Sequence, residues 1–191
     1  MRGSMGLQSN LWTDLPAGPE PPRVVHVVVE IPKGSRNKFE YDEQLGVIKL
    51  DRVLYSALYY PGDYGLIPRT LADDGDPMDV LVMVSEPTFP GCVIQARPLG
   101  IFRLLDRGIP DDKVLAVPAS DPLFTDYQDL SDVPRHFLAE VAHFFQVYKD
   151  LEGIGVEPRG WEPAAAALSE IEEAMRRYEE RGNLQRASAQ A

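Results

Sequence analysis

Cysteine is all but missing from the 191 residues: Cys92 stands alone. No internal disulfide can form, and a reducing compartment is expected. Long apolar runs are missing as well. No stretch approaches the ~18 consecutive apolar residues that a membrane-spanning helix requires, and the N-terminus lacks the basic-then-apolar pattern of a secretory signal. The expected location is the cytoplasm, with no membrane partner. Basic residues are the scarcer charge, 19 Lys and Arg against 30 Asp and Glu, for a net charge of −11. Such a surface repels a phosphate backbone, whose binding depends on many Lys and Arg contacts, so nucleic acid is disfavoured as a general partner. Internal repeats and long blocks of like charge are also lacking.

What is present suffices for one globular domain, since 44% of the residues are hydrophobic and the length allows a real core. Residues 1–15 show no usable periodicity. Four prolines between Pro16 and Pro22 favour an extended, poorly hydrogen-bonded segment, so residues 1–23 are expected to form a flexible arm. The single domain is expected over residues 24–182. Residues 24–31 are almost wholly β-branched and apolar, as in a strand covered on both faces. Residues 33–37 read as a turn, and residues 38–42 alternate so that Lys38, Glu40 and Asp42 share one face. Further strands are expected at 47–50, 78–84, 92–99, 100–105 and 114–117. Short punctuated strands of this kind suggest a closed or partly closed barrel. A helix capped by Asp132 carries Phe137, Leu138, Val141, Phe144, Phe145 and Tyr148 at spacings of three and four. A second is expected from about Pro163 to Gly182, followed by a disordered tail at 183–191. The fold class is therefore mainly β with α (α+β), a small OB-like barrel with two C-terminal helices.

The densest chemical signal is Asp73-Asp74-Gly75-Asp76-Pro77-Met78-Asp79. Four carboxylates within seven residues repel one another in a dry site, and either full solvation or divalent cations relieve that. Pro77 biases Asp76 towards extended backbone, Gly75 permits a tight bend, and the apolar run 80–84 places the aspartates at a strand mouth. An EF-hand fails on spacing, because a loop starting at Asp74 would have Asp79 where glycine belongs and Ser85 where glutamate belongs. A second acidic group is Asp106, Asp111 and Asp112, with Lys113 next. Tyr59, Tyr60 and Tyr64 surround a Pro-Gly turn, either as half-buried packing rings or as donors to an oxyanion. Lys149 follows the first helix, where it also complements the helix dipole.

Together these features resemble the soluble inorganic pyrophosphatases of family I, bacterial type. The stretch from Asp74 to Asp79 is similar to that family's D-G-D-P-x-D signature. Around it, in the family's order, stand Glu30-Ile31-Pro32, Lys38-Phe39-Glu40, Asp51-Arg52, the residues 60–65, Asp106 through Asp111 to Lys113, and the residues 143–152. The resemblance covers roughly residues 24–180. It implies hydrolysis of inorganic pyrophosphate to two phosphates, which draws biosynthetic reactions forward, with several Mg2+ ions per site and other divalent ions as alternatives. Asp74, Asp79 and Asp111 would hold one ion, Asp79 would share a second, and Asp106 with Asp111 would take ions arriving with the substrate, with Glu30 in support. Asp76 would be the general base for a water. Lys38, Arg52, Tyr64, Lys113, Tyr148 and Lys149 would contact phosphate, with Tyr60 and Glu40 supporting. A homohexamer is implied, with His143 either at a subunit contact or merely packed.

The physics agrees with that reading. An acidic cavity binds a polyanion only when hard cations bridge the two sets of charge, and phosphoryl transfer asks for charge neutralisation more than covalent help. A neutral-to-alkaline optimum follows, because protonated carboxyls release cations. Asp73 and Asp112 match nothing in the signature and read as solvated or supporting groups. Cys92 is expected to be a buried thiol, and His26 and His136 structural. Two competing classes are a metal-dependent hydrolase of organic phosphate esters, for which Tyr60 and Tyr64 would line an aromatic pocket, and a non-catalytic barrel that binds oligonucleotides.

Overall fold

The β-branched run after the prolines forms β1 (Val25–Ile31), and all but one of its seven residues are buried. The alternating segment forms β2 (Asn37–Asp42), paired antiparallel with β3 (Val47–Val53) as a separate two-stranded ribbon. Then come β4 (Asp63–Leu66), β5 (Asp79–Val82), the long β6 (Val93–Asp106), the short β7 (Ile109–Pro110) and β8 (Lys113–Pro118). Helix α1 (Arg135–Val147), β9 (Val156–Pro163) and helix α2 (Ala164–Ala189) complete the chain. The computed structural model describes residues 10–189, with side chains as far as Leu184.

The main sheet runs β1-β4-β5-β8-β6, and β6 pairs back onto β1, so the five strands close a ring. Among the described residues, β5 with β8 is the one parallel pairing. The expected α+β class, a small closed OB-like barrel with two C-terminal helices, is therefore what the chain adopts. Alternation along the strands divides the core. Val27, Val80, Val114 and Ala116 meet Ala167, Ile171 and Ala174 of α2, while Leu81, Leu99, Leu104 and Leu115 pack with Val141, Phe144 and Phe145 of α1. Small residues on α2 let it lie close to the strands, and aromatic ones on α1 fill a deeper space.

Closing so small a ring needs backbone approaches that only glycine permits. A Cβ on Gly65 would lie 1.9 Å from Val28 O across the β1–β4 pair. At Gly100 it would strike the Leu130 side chain at 2.4 Å, next to the irregularity where β6 bends between its partners. That bend lets one strand of 14 residues serve where two were expected, at 92–99 and 100–105.

Five further expectations are corrected. Residues 10–23 are fastened rather than free: Trp12 is 7% exposed, its Nε1 donates to Thr70 O at 2.9 Å, and His26 N donates to Ala17 O at 2.7 Å. Proline removes donors but leaves carbonyls and side chains able to bond. Residues 1–9 lie outside the described residues. Helix α2 passes through Gly182 to Ala189 instead of giving way to a tail at 183, because the residues after the glycine include good helix formers and no proline. Asp132 does not cap α1; it accepts from Gln128 N and Asp129 N in a short turn, and Pro134 precedes the helix. Cys92 is half-buried rather than enclosed, at the edge of the α2-side core. His136 and His143 both lie exposed on α1, so neither is a packed core residue.

Candidate active site

The acidic turn is built by local bonds. Ala72 N donates to Asp76 O at 2.7 Å and Gly75 N to Ala72 O at 3.1 Å, and Gly75 takes a φ of +95° that other residues rarely adopt. Asp76 N donates to Asp74 Oδ1 at 3.0 Å, an Asx turn. Below it, Thr70 is fully buried and its Oγ1 accepts from Met78 N at 2.9 Å, which fixes where β5 starts. Asp79 is thus the first residue of β5, and the parallel register places it beside Lys113 of β8. The second acidic group sits on the β6–β7 turn, where Arg107 and Gly108 adopt positive φ and Asp106 pairs with Ile109. Asp111 follows directly, and Lys149 comes in just beyond α1.

These elements enclose a cavity of about 470 Å³. Its walls carry Asp74, Asp76 and Asp79 from the first turn, Asp106 and Asp111 from the second, Glu30 from β1, and Glu40 and Lys38 from β2. Tyr64, Lys113, Tyr148 and Lys149 complete the set. Twelve of the fourteen residues singled out from the sequence therefore meet on one cavity. Two do not line it. Tyr60 is buried beneath, its ring 5.4 Å from that of Tyr64 and 4.8 Å from that of Phe144. Arg52 forks Glu152, with Nε to Oε1 and Nη2 to Oε2 both at 3.0 Å, and also pairs with Asp51. Sequence reading missed Trp12, Tyr41, Glu43 and Arg107, which share the wall. Trp12 lies in the segment without periodicity, where a lone large aromatic was the one available signal.

Charge organises the interior. Lys113, 3% exposed, bridges Asp79 at 2.5 Å and Asp111 more closely still. Burial opposes its charge, but the two aspartates outweigh that and raise its pKa, so it is a fixed cation. Lys149 reaches Asp106 Oδ2 at 2.5 Å; burial again opposes charge, and Tyr148 and Asp106 raise its pKa. Lys38 pairs with Glu40 and, at 3.5 Å, with Asp51. Burial pushes the Glu30 carboxyl up to about 8; the Tyr41 N–H donated to it at 2.7 Å opposes this, and Asp79 adds to it. Asp76 is also raised, by burial first and then by Asp74 and Asp79, and Asp74 moves the same way through burial. Burial keeps the Tyr60, Tyr64 and Tyr148 hydroxyls protonated, as donors.

Among the described residues no three acidic, imidazole or thiol side chains converge as a ready coordination shell. Lys113 stands between Asp79 and Asp111, and the like charges otherwise keep apart. The donor set nevertheless suits a hard dication. Eight carboxylates face the cavity (Glu43 among them) against the four cations Lys38, Arg107, Lys113 and Lys149. Asp106 Oδ1 is buried without a hydrogen-bond partner among the described residues, a lone acceptor aimed at no protein donor. All-oxygen ligands of this kind select Mg2+, Mn2+ or Ca2+ over softer ions.

Known proteins share this architecture. The family model for inorganic pyrophosphatase matches residues 27–179. The inorganic pyrophosphatase of Halalkalibacterium halodurans is 55% identical over 157 residues, covering 82% of this chain and 96% of that protein. That of Haloferax volcanii is 52% identical over 172 residues, covering 90% and 97%. The crystal structure of inorganic pyrophosphatase from Thermus thermophilus superposes with a TM-score of 0.87 at 47% identity, covering 90% of this chain and 99% of that one. With sequence and fold agreeing from β1 well into α2, the chain belongs to the inorganic pyrophosphatase family.

Proposed function

We infer that the protein hydrolyses inorganic pyrophosphate to two phosphates, with divalent cations, Mg2+ foremost, as resident cofactors and Asp76 as general base. The observation that carries the reading is the convergence of two acidic turns and three lysines on one cavity. Family membership supports it, since the relatives in hand bear that activity in their names. Asp74, Asp79, Asp106 and Asp111, with Glu30 behind them, are the residues that would hold the ions. When bound, such ions neutralise phosphate charge and acidify water.

The remaining work falls to the chain's own groups. Lys38, Lys113 and Lys149 carry fixed positive charge to the cavity wall, where a polyanion would accept from their ammonium groups. The buried Tyr64 and Tyr148 hydroxyls stay protonated and serve as neutral donors. Among the described residues no cation pairs with Asp76, which stands exposed at the rim with its pKa raised, so it can accept a proton from water more readily than an ordinary aspartate. Arg52 supports from outside the cavity, holding Glu152 and Asp51. A cytoplasmic enzyme that assembles as a homo-oligomer, a homohexamer by family resemblance, completes the proposal. The exposed apolar side chains Val47, Leu50 and Val53 of β3 and the exposed His143 of α1 are surfaces available to it.

The test is phosphate release from pyrophosphate with Mg2+, with and without chelator, for the parent and Asp76→Asn. Chelator should abolish the rate. Asp76→Asn should lose at least ~100-fold in kcat, the scale of general-base catalysis, while Mg2+ binding is retained. An unchanged rate removes Asp76 from that role. Faster turnover of an aryl phosphate than of pyrophosphate would reassign the substrate.

A further inference from the structure

Behind the cavity, on the side facing α2, lies a group of charges that the proposed chemistry does not use. Arg103 of β6 donates from Nη1 to Asp112 at 2.5 Å and to Glu170 of α2 at 2.8 Å, and from Nε to Glu162 at 2.9 Å. Glu170 accepts on its other oxygen from Arg177 Nη2 at 3.0 Å. Arg177 Nε then donates to Leu71 O at 2.8 Å, and its Nη1 lies 3.6 Å from Asp73. Each end of this chain of bonds touches one acidic turn. Asp112 adjoins Asp111, and its other oxygen accepts from Leu104 N at 3.2 Å. Leu71 and Asp73 lead into Asp74, and Leu71 N is tied to α2 as well, through Ala174 O.

We propose that Glu170, shared between Arg103 and Arg177, is a positioning residue that sets the spacing of the two acidic turns and so tunes their affinity for divalent cations. The inner ends of the two turns are tied by the β5–β8 pairing and by Lys113, which bridges Asp79 and Asp111; their outer ends, at Leu71–Asp73 and Asp112, are braced through α2. The Glu170 side chain is 22% exposed and those of Arg103 and Arg177 are 25% and 24%, so the pairs are shielded enough to hold geometry. Groups that orient metal-binding carboxylates without touching the ion commonly change affinity 10–100-fold when altered. The consequence for cations rests on the proposed function; the spacing itself does not.

Three variants test it by amide hydrogen exchange and by calorimetry with Mn2+ alone. Glu170→Gln keeps the shape but leaves one oxygen for two guanidinium groups. It should speed exchange both in residues 71–79 and in 107–112, and weaken Mn2+ binding about tenfold. Arg177→Lys keeps the charge but cannot reach Glu170 and Leu71 O together, so faster exchange should be confined to 71–79. Glu162→Gln removes one Arg103 pair of similar length outside the relay and should change neither turn. Parental exchange in both turns of Glu170→Gln, or equal loss in Glu162→Gln, overturns the proposal. Should Glu170→Gln not fold, Arg177→Lys decides, with unchanged exchange at 71–79 refuting it. A parent that takes up no Mn2+ would sink the proposed function, whereas the exchange pattern would still judge the relay.

Discussion

Glu30 shows how a single carboxyl links the site to stability. It is 8% exposed, it accepts the Tyr41 N–H, and burial raises its pKa from 4.5 to about 8. Between those values the folded protein keeps a proton that the unfolded chain has released. The stabilisation is therefore whole below pH 4.5 and is lost as pH rises through 8. Glu30→Gln keeps an oxygen for Tyr41 N and has no charge to gain. In chelator, the urea stability of the parent should fall relative to Glu30→Gln from pH 5 to pH 9, reaching a gap of about 2 kcal/mol or more, the scale of a pKa shift beyond one unit in a buried group. Parallel pH profiles for the two proteins would show that Glu30 ionises freely. Residues of this sort were legible only as chemistry. The spacing of Asp74, Asp76 and Asp79 announced the turn, but nothing local revealed that Lys113 would bridge Asp79 and Asp111, because sheet register made that contact.

Elements were readable where one physical signal dominated. The largely apolar run of β1 reports burial on both faces and the three-four spacing on α1 reports one buried face, and both elements formed close to where they were expected. Strand β4 was hidden, since Tyr60-Pro61-Gly62 reads as a turn and only four residues pair beyond it. Strand β9 was hidden as well, because Glu157, Pro158 and Gly160 break any alternation and its pairing with β6 carries an irregularity. Both are held by partners distant in sequence, which overrides local preference. The ring that β4 helps to close makes its own demand at Gly65. An alanine there would drive Cβ to within 1.9 Å of Val28 O, which is backbone and cannot swing away. Gly65→Ala should cost about 3 kcal/mol or more in urea unfolding, the upper range of overpacking. Gly155→Ala, with open space around it, should change stability by less than ~1 kcal/mol. Similar values for the two would mean that β1 and β4 do not approach so closely.

At the scale of the whole molecule, the net charge of −11 and the concentration of carboxylates in one cavity work against compaction. Lys38, Lys113 and Lys149 offset part of that locally, but eight carboxylates face them and their neighbour Arg107. Ions that bind the folded cavity and not the unfolded chain must stabilise by mass action, about 2.7 kcal/mol when present at a hundred times Kd. For a chain of this size that amounts to roughly 5–10 °C in Tm. Mg2+ added to chelator-treated protein should therefore raise Tm along a saturating curve. NaCl at matched ionic strength only screens charge, so its effect should be smaller and should not saturate. The double variant Asp79→Asn, Asp111→Asn removes two of the charges the ions would neutralise, and with them both carboxylate partners of the buried Lys113, so its Tm without Mg2+ should fall. It should also lose the Mg2+ response. If the parent and the double variant rise together with Mg2+, the stabilising ions sit elsewhere on the acidic surface, and the cavity carboxylates are not their ligands.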